Sequence, residues 1–170
     1  MHVHGFPPIE RAGARVLILG TMPGRVSLRE RQYYAHPRNA FWRIVGEIFG
    51  FDAQGAYETR TSSLAASRIA LWDVLESCTR EGSLDSDIER ATIVPNDFAS
   101  FLAHHRRIRR ICFNGAKAEA LYMRHVRPLL GDLPEISHLR LPSTSPANAA
   151  VPLPEKLRAW RAATAPARRR

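Results

Sequence analysis

The side chains with most chemistry to offer stand together in Tyr33-Tyr34-Ala35-His36-Pro37-Arg38-Asn39-Ala40-Phe41-Trp42. A tyrosine such as Tyr34 combines a stacking face for a flat ligand with a polar hydroxyl. Asn39 combines a carbonyl acceptor with an amide donor. It also stands where a helix N-cap belongs, and on local sequence alone capping comes ahead of catalysis. The two roles are compatible, because a capping side chain is held rigidly and a catalytic group must be. His36 has no acidic neighbour and reads as a loop hydrogen-bonder, while Phe41 and Trp42 read as core.

Three other loops carry weaker signals. Gly20-Thr21-Met22-Pro23-Gly24 permits close backbone approach and is stiffened by its proline. It is neither a Walker A loop nor GxGxxG, and alone it reads as a tight strand exit. Leu141-Pro142-Ser143-Thr144-Ser145-Pro146-Ala147-Asn148 offers hydroxyls and backbone groups suited to phosphate contacts, or simply a polar turn. Asn114-Gly115 reads equally as a helix cap or as an amide facing a bound base. The 7 histidines and 2 cysteines show no metal-ligand spacing, and no GxSxG elbow occurs. No metal and no cofactor is expected.

Short apolar runs must position these loops. Strands are expected at Arg15–Gly20, Ile69–Leu75, Arg109–Phe113 and Ile136–Leu141. Helices are expected after Asn39, where Phe41, Ile44, Val45, Ile48 and Phe49 form one stripe, and at Glu58–Ser67. Others follow at Pro95–His105, opened by Pro95, at Ala116–Val126, which must stop or kink at Pro128, and at Pro154–Ala163. Glu81–Glu89 reads as an acidic loop with a little helix. Strand–helix alternation implies an α/β fold whose parallel sheet is covered on both faces. Ligands on such sheets bind beyond the carboxyl ends of the strands, where the loops above emerge.

The chain of 170 residues suits one domain, expected over residues 1–166, with a basic tail at 167–170. No apolar window approaches ~18 residues, so no membrane span is expected. The N-terminus lacks a signal-peptide pattern, and two cysteines make no disulfide scaffold. A monomer in a reducing cytoplasm is expected. The net charge of +9 is segregated: +5 over residues 1–45, −6 over 46–100 and +10 over 101–170. That suits one face meeting a polyanion, among other acidic partners. Arg25, Arg29, Arg31 and Arg38 flank the first loops. Arg106, Arg107, Arg109 and Arg110 are expected at the opposite end of the sheet.

Taken in order, GTMPG, AHPRNAFWRIV and LPSTSPAN resemble the uracil-DNA glycosylase superfamily over roughly residues 15–160. The first resembles its Gly-x-x-Pro-Gly loop. The second resembles a segment of the mismatch-specific uracil glycosylases, and the third its loop beside the flipped nucleotide. The resemblance implies a three-layer α/β/α sandwich around a four-stranded, mostly parallel sheet. Met22 stands where the mismatch-specific enzymes carry an asparagine. Loss of that polar residue with retention of Asn39 is similar to the hypoxanthine-DNA (deoxyinosine) glycosylase branch. There the asparagine matching Asn39 is catalytic.

The resemblance further implies that Tyr34 stacks on the flipped base and that Gly20, Thr21, Met22, Pro23 and Gly24 line its pocket. Ser143, Thr144, Ser145 and Pro146 would press into the duplex. Arg25 and Arg38 would meet phosphates, and Asn114 would assist the leaving base. The expected activity is excision of a deaminated base from DNA, hypoxanthine first, with Asn39 placing the attacking water. Uracil opposite guanine is the alternative substrate. A non-catalytic DNA-binding domain is the alternative of another class, with Met22 as its best support. A small-molecule hydrolase is disfavoured by the arginine excess and the absent nucleophile. Lys117 and Lys156 are the only lysines and neither stands beside a motif, so lyase chemistry is not expected.

Overall fold

In a computed structural model of the protein, the structure describes residues 1–132 and 135–165. The expected tail at 167–170 lies outside them. The elements in chain order are β1 (His2–His4), β2 (Val16–Gly20), α1 (Arg25–Glu30), α2 (Phe41–Phe49), α3 (Tyr57–Ala66) and β3 (Ile69–Asp73). Then come β4 (Leu75–Thr79), β5 (Val94–Pro95), α4 (Phe98–His104), β6 (Arg110–Asn114), α5 (Ala116–Leu121), β7 (Ser137–Leu141) and α6 (Leu153–Thr164).

Every residue of β2 and β3 is buried, as continuous apolar strands covered on both faces must be. The sheet runs β3-β2-β6-β7 with every pairing parallel. Alternate residues feed two cores. Leu17, Leu19 and Phe113 pack with Phe98 and Phe101 of α4 and Leu121 of α5. Val16, Ile18 and Cys112 pack with Phe41 and Ile44 of α2, Leu64 of α3 and Trp160 of α6. The result is a three-layer α/β/α arrangement.

Three local differences from the expected elements have identifiable causes. The strand expected to run to Leu75 stops at Asp73, and β4 departs to a second, antiparallel sheet of order β1-β4-β5. Its partners β1 and β5 have 3 and 2 residues, too few to show a period. The helix expected from Pro95 starts at Phe98, because Asp97 caps it by accepting from the Ser100 N–H at 3.0 Å. Pro95 belongs to β5 instead. The helix expected to reach Val126 is α-helical only to Leu121; it widens into a π-turn at Tyr122–Val126 and tightens into a single 3-10 turn, Arg127–Leu129, that contains Pro128.

The register aligns Gly20 with Asp73 and Asn114 with Leu141. Four strand ends therefore meet at one rim of the sheet. Arg106, Arg107 and Arg109 precede β6 and so lie toward the other rim, as expected.

Candidate active site

At the carboxyl rim opens a cavity of about 820 Å³. Its walls are residues 20–27, 33–34, 36, 38–39, 73, 83–86, 114–117, 140–148 and 151. Every residue given a catalytic, substrate-binding or DNA-binding role above is among them, from four segments spread between residues 20 and 146. The arginines divide. Arg25 and Arg38 line the cavity and are exposed. Arg29 pairs with Glu30 at 2.8 Å, and Arg31 lines a separate cleft with Phe6 and Tyr57.

Asn39 sits one residue ahead of the helix boundary. Ala40 holds the N-cap position and contributes no side-chain bond. The Phe41 N–H donates to Asn39 Oδ1 at 2.9 Å, so the asparagine still satisfies one of the first orphan donors of α2. The Ala40 N–H donates to the Thr144 carbonyl at 3.0 Å, tying this segment to the third loop. Among the described residues, one lone pair of Oδ1 and both amide hydrogens of Asn39 have no protein partner and remain for a ligand or water.

Tyr34 adopts a left-handed backbone, φ +54°, which is uncommon for a bulky residue. Its ring stacks on Phe41 with centroids 4.2 Å apart, which leaves at most one face for a ligand. Met22 is 7% exposed and its side chain belongs to the apolar core, so this position contributes backbone to the cavity. Thr21 donates from Oγ1 to Asp85 Oδ2 at 3.0 Å, and the buried Arg80 donates to the Pro23 carbonyl. The Arg25 N–H donates to Ser83 Oγ at 3.1 Å. The acidic segment after β4 thus clamps the first loop from behind.

Asn114 is committed at both ends of its amide. Its Nδ2 donates to Thr144 Oγ1, and its Oδ1 accepts from the Thr144 N–H, each at 2.9 Å. Thr144 was expected to meet DNA; it is 1% exposed and turned inward to this clamp. Gly115 has φ +98°, and a Cβ there would lie 3.0 Å from Ser143 Cβ. Only glycine lets the two loops approach so closely. From below, Trp160 Nε1 donates to the Pro142 carbonyl at 3.0 Å and Lys156 Nζ to the Asn148 carbonyl at 2.8 Å. Ser143, Ser145 and Pro146 remain half-buried at the rim of a rigid loop.

Two residues were missed. Lys117, expected to stand apart from the motifs, lines the cavity from the second residue of α5. Asp73 ends β3 and is 4% exposed. Burial pushes its carboxyl up to about 7; Asp85 adds to the rise and Arg80 opposes it. Burial likewise raises Asp85, against its bond from Thr21 and the charge of Arg80. A strand read as running on to Leu75 hid Asp73. Ending that strand at the first acidic residue would have placed a carboxyl at a ligand-binding rim. Among the described residues, no group of three or more His, Cys, Asp or Glu is placed to hold a metal ion, and no helix is long and apolar enough to cross a membrane.

The family description "Uracil DNA glycosylase superfamily" matches residues 7–164. A curated relative from Methanosarcina acetivorans, named hypoxanthine DNA glycosylase, is 41% identical over 145 residues, covering 85% of this chain and 87% of the relative. One of the same name from Methanosarcina barkeri is 40% identical over 119 residues, covering 69% and 74%. A solution NMR structure of a candidate uracil DNA glycosylase from Methanosarcina acetivorans superposes with a TM-score of 0.80 at 37% identity, covering 96% of this chain and 97% of that one.

Proposed function

Because this chain belongs to the uracil DNA glycosylase superfamily, we propose that its cavity takes a flipped deoxyinosine and hydrolyses the N-glycosidic bond to release hypoxanthine. The observation that carries this reading is the convergence of all three motif loops, with Asn39, on one cavity. A base within a duplex is unreachable, so the nucleotide must leave the stack, at a cost of a few kcal/mol that is smaller for a poorly paired base. The free face of Tyr34 stacks on that base. The rigid Ser143, Ser145 and Pro146 edge presses into the gap, and Arg25 and Arg38 meet phosphates.

An amide is no general base, so Asn39 acts by orienting water. Its Oδ1, fixed by the Phe41 N–H, accepts from the water that attacks the anomeric carbon. The bond to the base breaks as the sugar gains oxocarbenium character. Backbone N–H groups of the 20–24 loop stabilise the departing base. Asn114 contributes by holding Thr144, and with it the third loop, in place. The enzyme acts as a single domain over residues 1–166, as a monomer in the cytoplasm.

The test is single-turnover excision, read as alkali-induced nicking, on duplexes carrying one inosine, uracil or xanthine. Asn39→Ala should abolish excision and leave DNA affinity nearly unchanged. Unimpaired excision by that variant would sink the assignment. Faster release of uracil opposite guanine than of hypoxanthine would favour the second substrate. DNA binding with no excision of any base by the parent would leave a binding domain on this scaffold.

A further inference from the structure

The rim of the sheet that the cavity does not use carries its own cluster of charge. Three neighbouring strands are each entered through an exposed arginine: Arg68 ahead of β3, Arg15 ahead of β2 and Arg109 ahead of β6. The backbone sets them side by side. The Arg15 N–H donates to the Arg68 carbonyl at 2.8 Å, and the Arg109 N–H to the Arg15 carbonyl at 3.0 Å. Adjacent strands lie about 4.8 Å apart, so like charges stand on three consecutive strand starts. Two more stand in the turn before β6. Arg106 and Arg107 are exposed, and a Cβ on Gly13 would lie 3.9 Å from Arg107 Nη1, so that guanidinium reaches the approach to Arg15. Arg68 has φ +64°, a conformation uncommon for a long side chain, yet the chain keeps a cation there.

Nothing within the fold balances this charge. Among the described residues, none of the five arginines forms an ion pair. Arg15, Arg68 and Arg107 make no side-chain hydrogen bond there, while Arg106 and Arg109 bond only backbone carbonyls. The acidic residues leading into this rim are Glu10, which is engaged by His105 at 2.5 Å, and Glu135 ahead of β7. A merely solvated face intersperses both signs, because like charges held together repel. A row of free guanidiniums suits a polyanion, whose phosphates each accept a forked pair of N–H bonds. DNA is such a polyanion.

We propose that the amino rim is a second DNA-binding face, which holds one duplex segment while the carboxyl rim holds another. The proposal rests on the glycosylase reading for its choice of DNA. The five residues of β2, roughly 17 Å of strand, separate Arg15 from the cavity, and the two rims face opposite ways. Duplex DNA is stiff over about 150 bp, so a short site seated at the cavity does not fold back to the row. Contacts there are to phosphates and independent of sequence. The consequence is transfer: an enzyme engaged on one segment takes hold of the next before it leaves the first.

The experiment uses the full chain and undamaged duplexes of about 15 bp, too stiff to wrap it. Sedimentation at low salt should count one protein with two duplexes. Changing Arg15→Gln, Arg68→Gln and Arg109→Gln together should weaken the second duplex alone and lower its salt slope of log K by nearly 3. Single-turnover excision of hypoxanthine should stay within about 2-fold of the parent, which also shows that the variant folds. Release of a labelled duplex from the parent should accelerate by at least about 3-fold as unlabelled duplex is raised, and stay flat in the variant. A parent that takes one duplex at every concentration, or a variant that takes two as readily, overturns the proposal; the row then suits an acidic protein. A parent that takes two duplexes but excises no base overturns the glycosylase reading and leaves the second face standing.

Discussion

Replacing Asp73 by asparagine should stabilise the free protein, and increasingly so as pH rises. In the unfolded chain the carboxyl ionises near 3.8; in the fold burial holds its proton to about 7. Between these values the folded state binds more protons than the unfolded state, so stability declines as pH rises through the window. Above pH 7 the deficit levels off at roughly 4 kcal/mol, from about three pH units at 1.36 kcal/mol each. Asparagine is neutral throughout and nearly isosteric. Its NH2 brings one more buried donor, at a cost of about 1–2 kcal/mol. The variant should therefore gain about 2–3 kcal/mol at pH 8 and nothing at pH 4.5. For a chain of this length that is a rise of roughly 4–12 °C in Tm at pH 8. Thermal and urea denaturation of both proteins from pH 4.5 to 8.5 reads the difference. A stability difference flat with pH, or a variant less stable than the parent at pH 8, would refute the unpaired buried carboxyl. A gain would mark Asp73 as a residue kept at the expense of stability, as functional groups often are.

The clamp between Asn114 and Thr144 should be needed for catalysis more than for folding. Thr144→Val removes the acceptor for Asn114 Nδ2 and should slow single-turnover excision by about 10-fold or more while lowering stability by about 1–2 kcal/mol; full activity would show that the loop holds its place without it. Gly115→Ala forces an L-residue to φ +98° and against Ser143, and should cost about 1–3 kcal/mol in denaturant titrations. Removing Arg25 and Arg38 together should weaken binding to any duplex and reduce the salt slope of log K by nearly 2, as measured by titration across salt concentrations. An unchanged slope would remove both from the phosphate contacts.

Much of the scaffold was legible because its signals are local. The buried runs at Val16–Gly20 and Ile111–Phe113, and the stripe of α2, are patterns within a few residues. The second sheet was not legible, because β1 and β5 carry too few residues to show a period and exist only through pairing with β4. Asn39 was legible as a cap and as a candidate catalyst, and the structure keeps both options open in one side chain. Asn114 was legible as a polar residue at a strand end. That its amide is spent on Thr144, thirty residues away, depends on two neighbouring strands ending in register.

The amino-acid sequence alone determined the alternation of strands and helices, the three loops at the binding rim and the identity of Asn39, since each is written in contiguous residues. Tertiary structure alone decided which polar groups remain free. Burial and hydrogen-bond satisfaction are sums over neighbours distant in the chain. Asp73 acquires its raised pKa and its open valence only where residues 20, 34, 80 and 85 close around it.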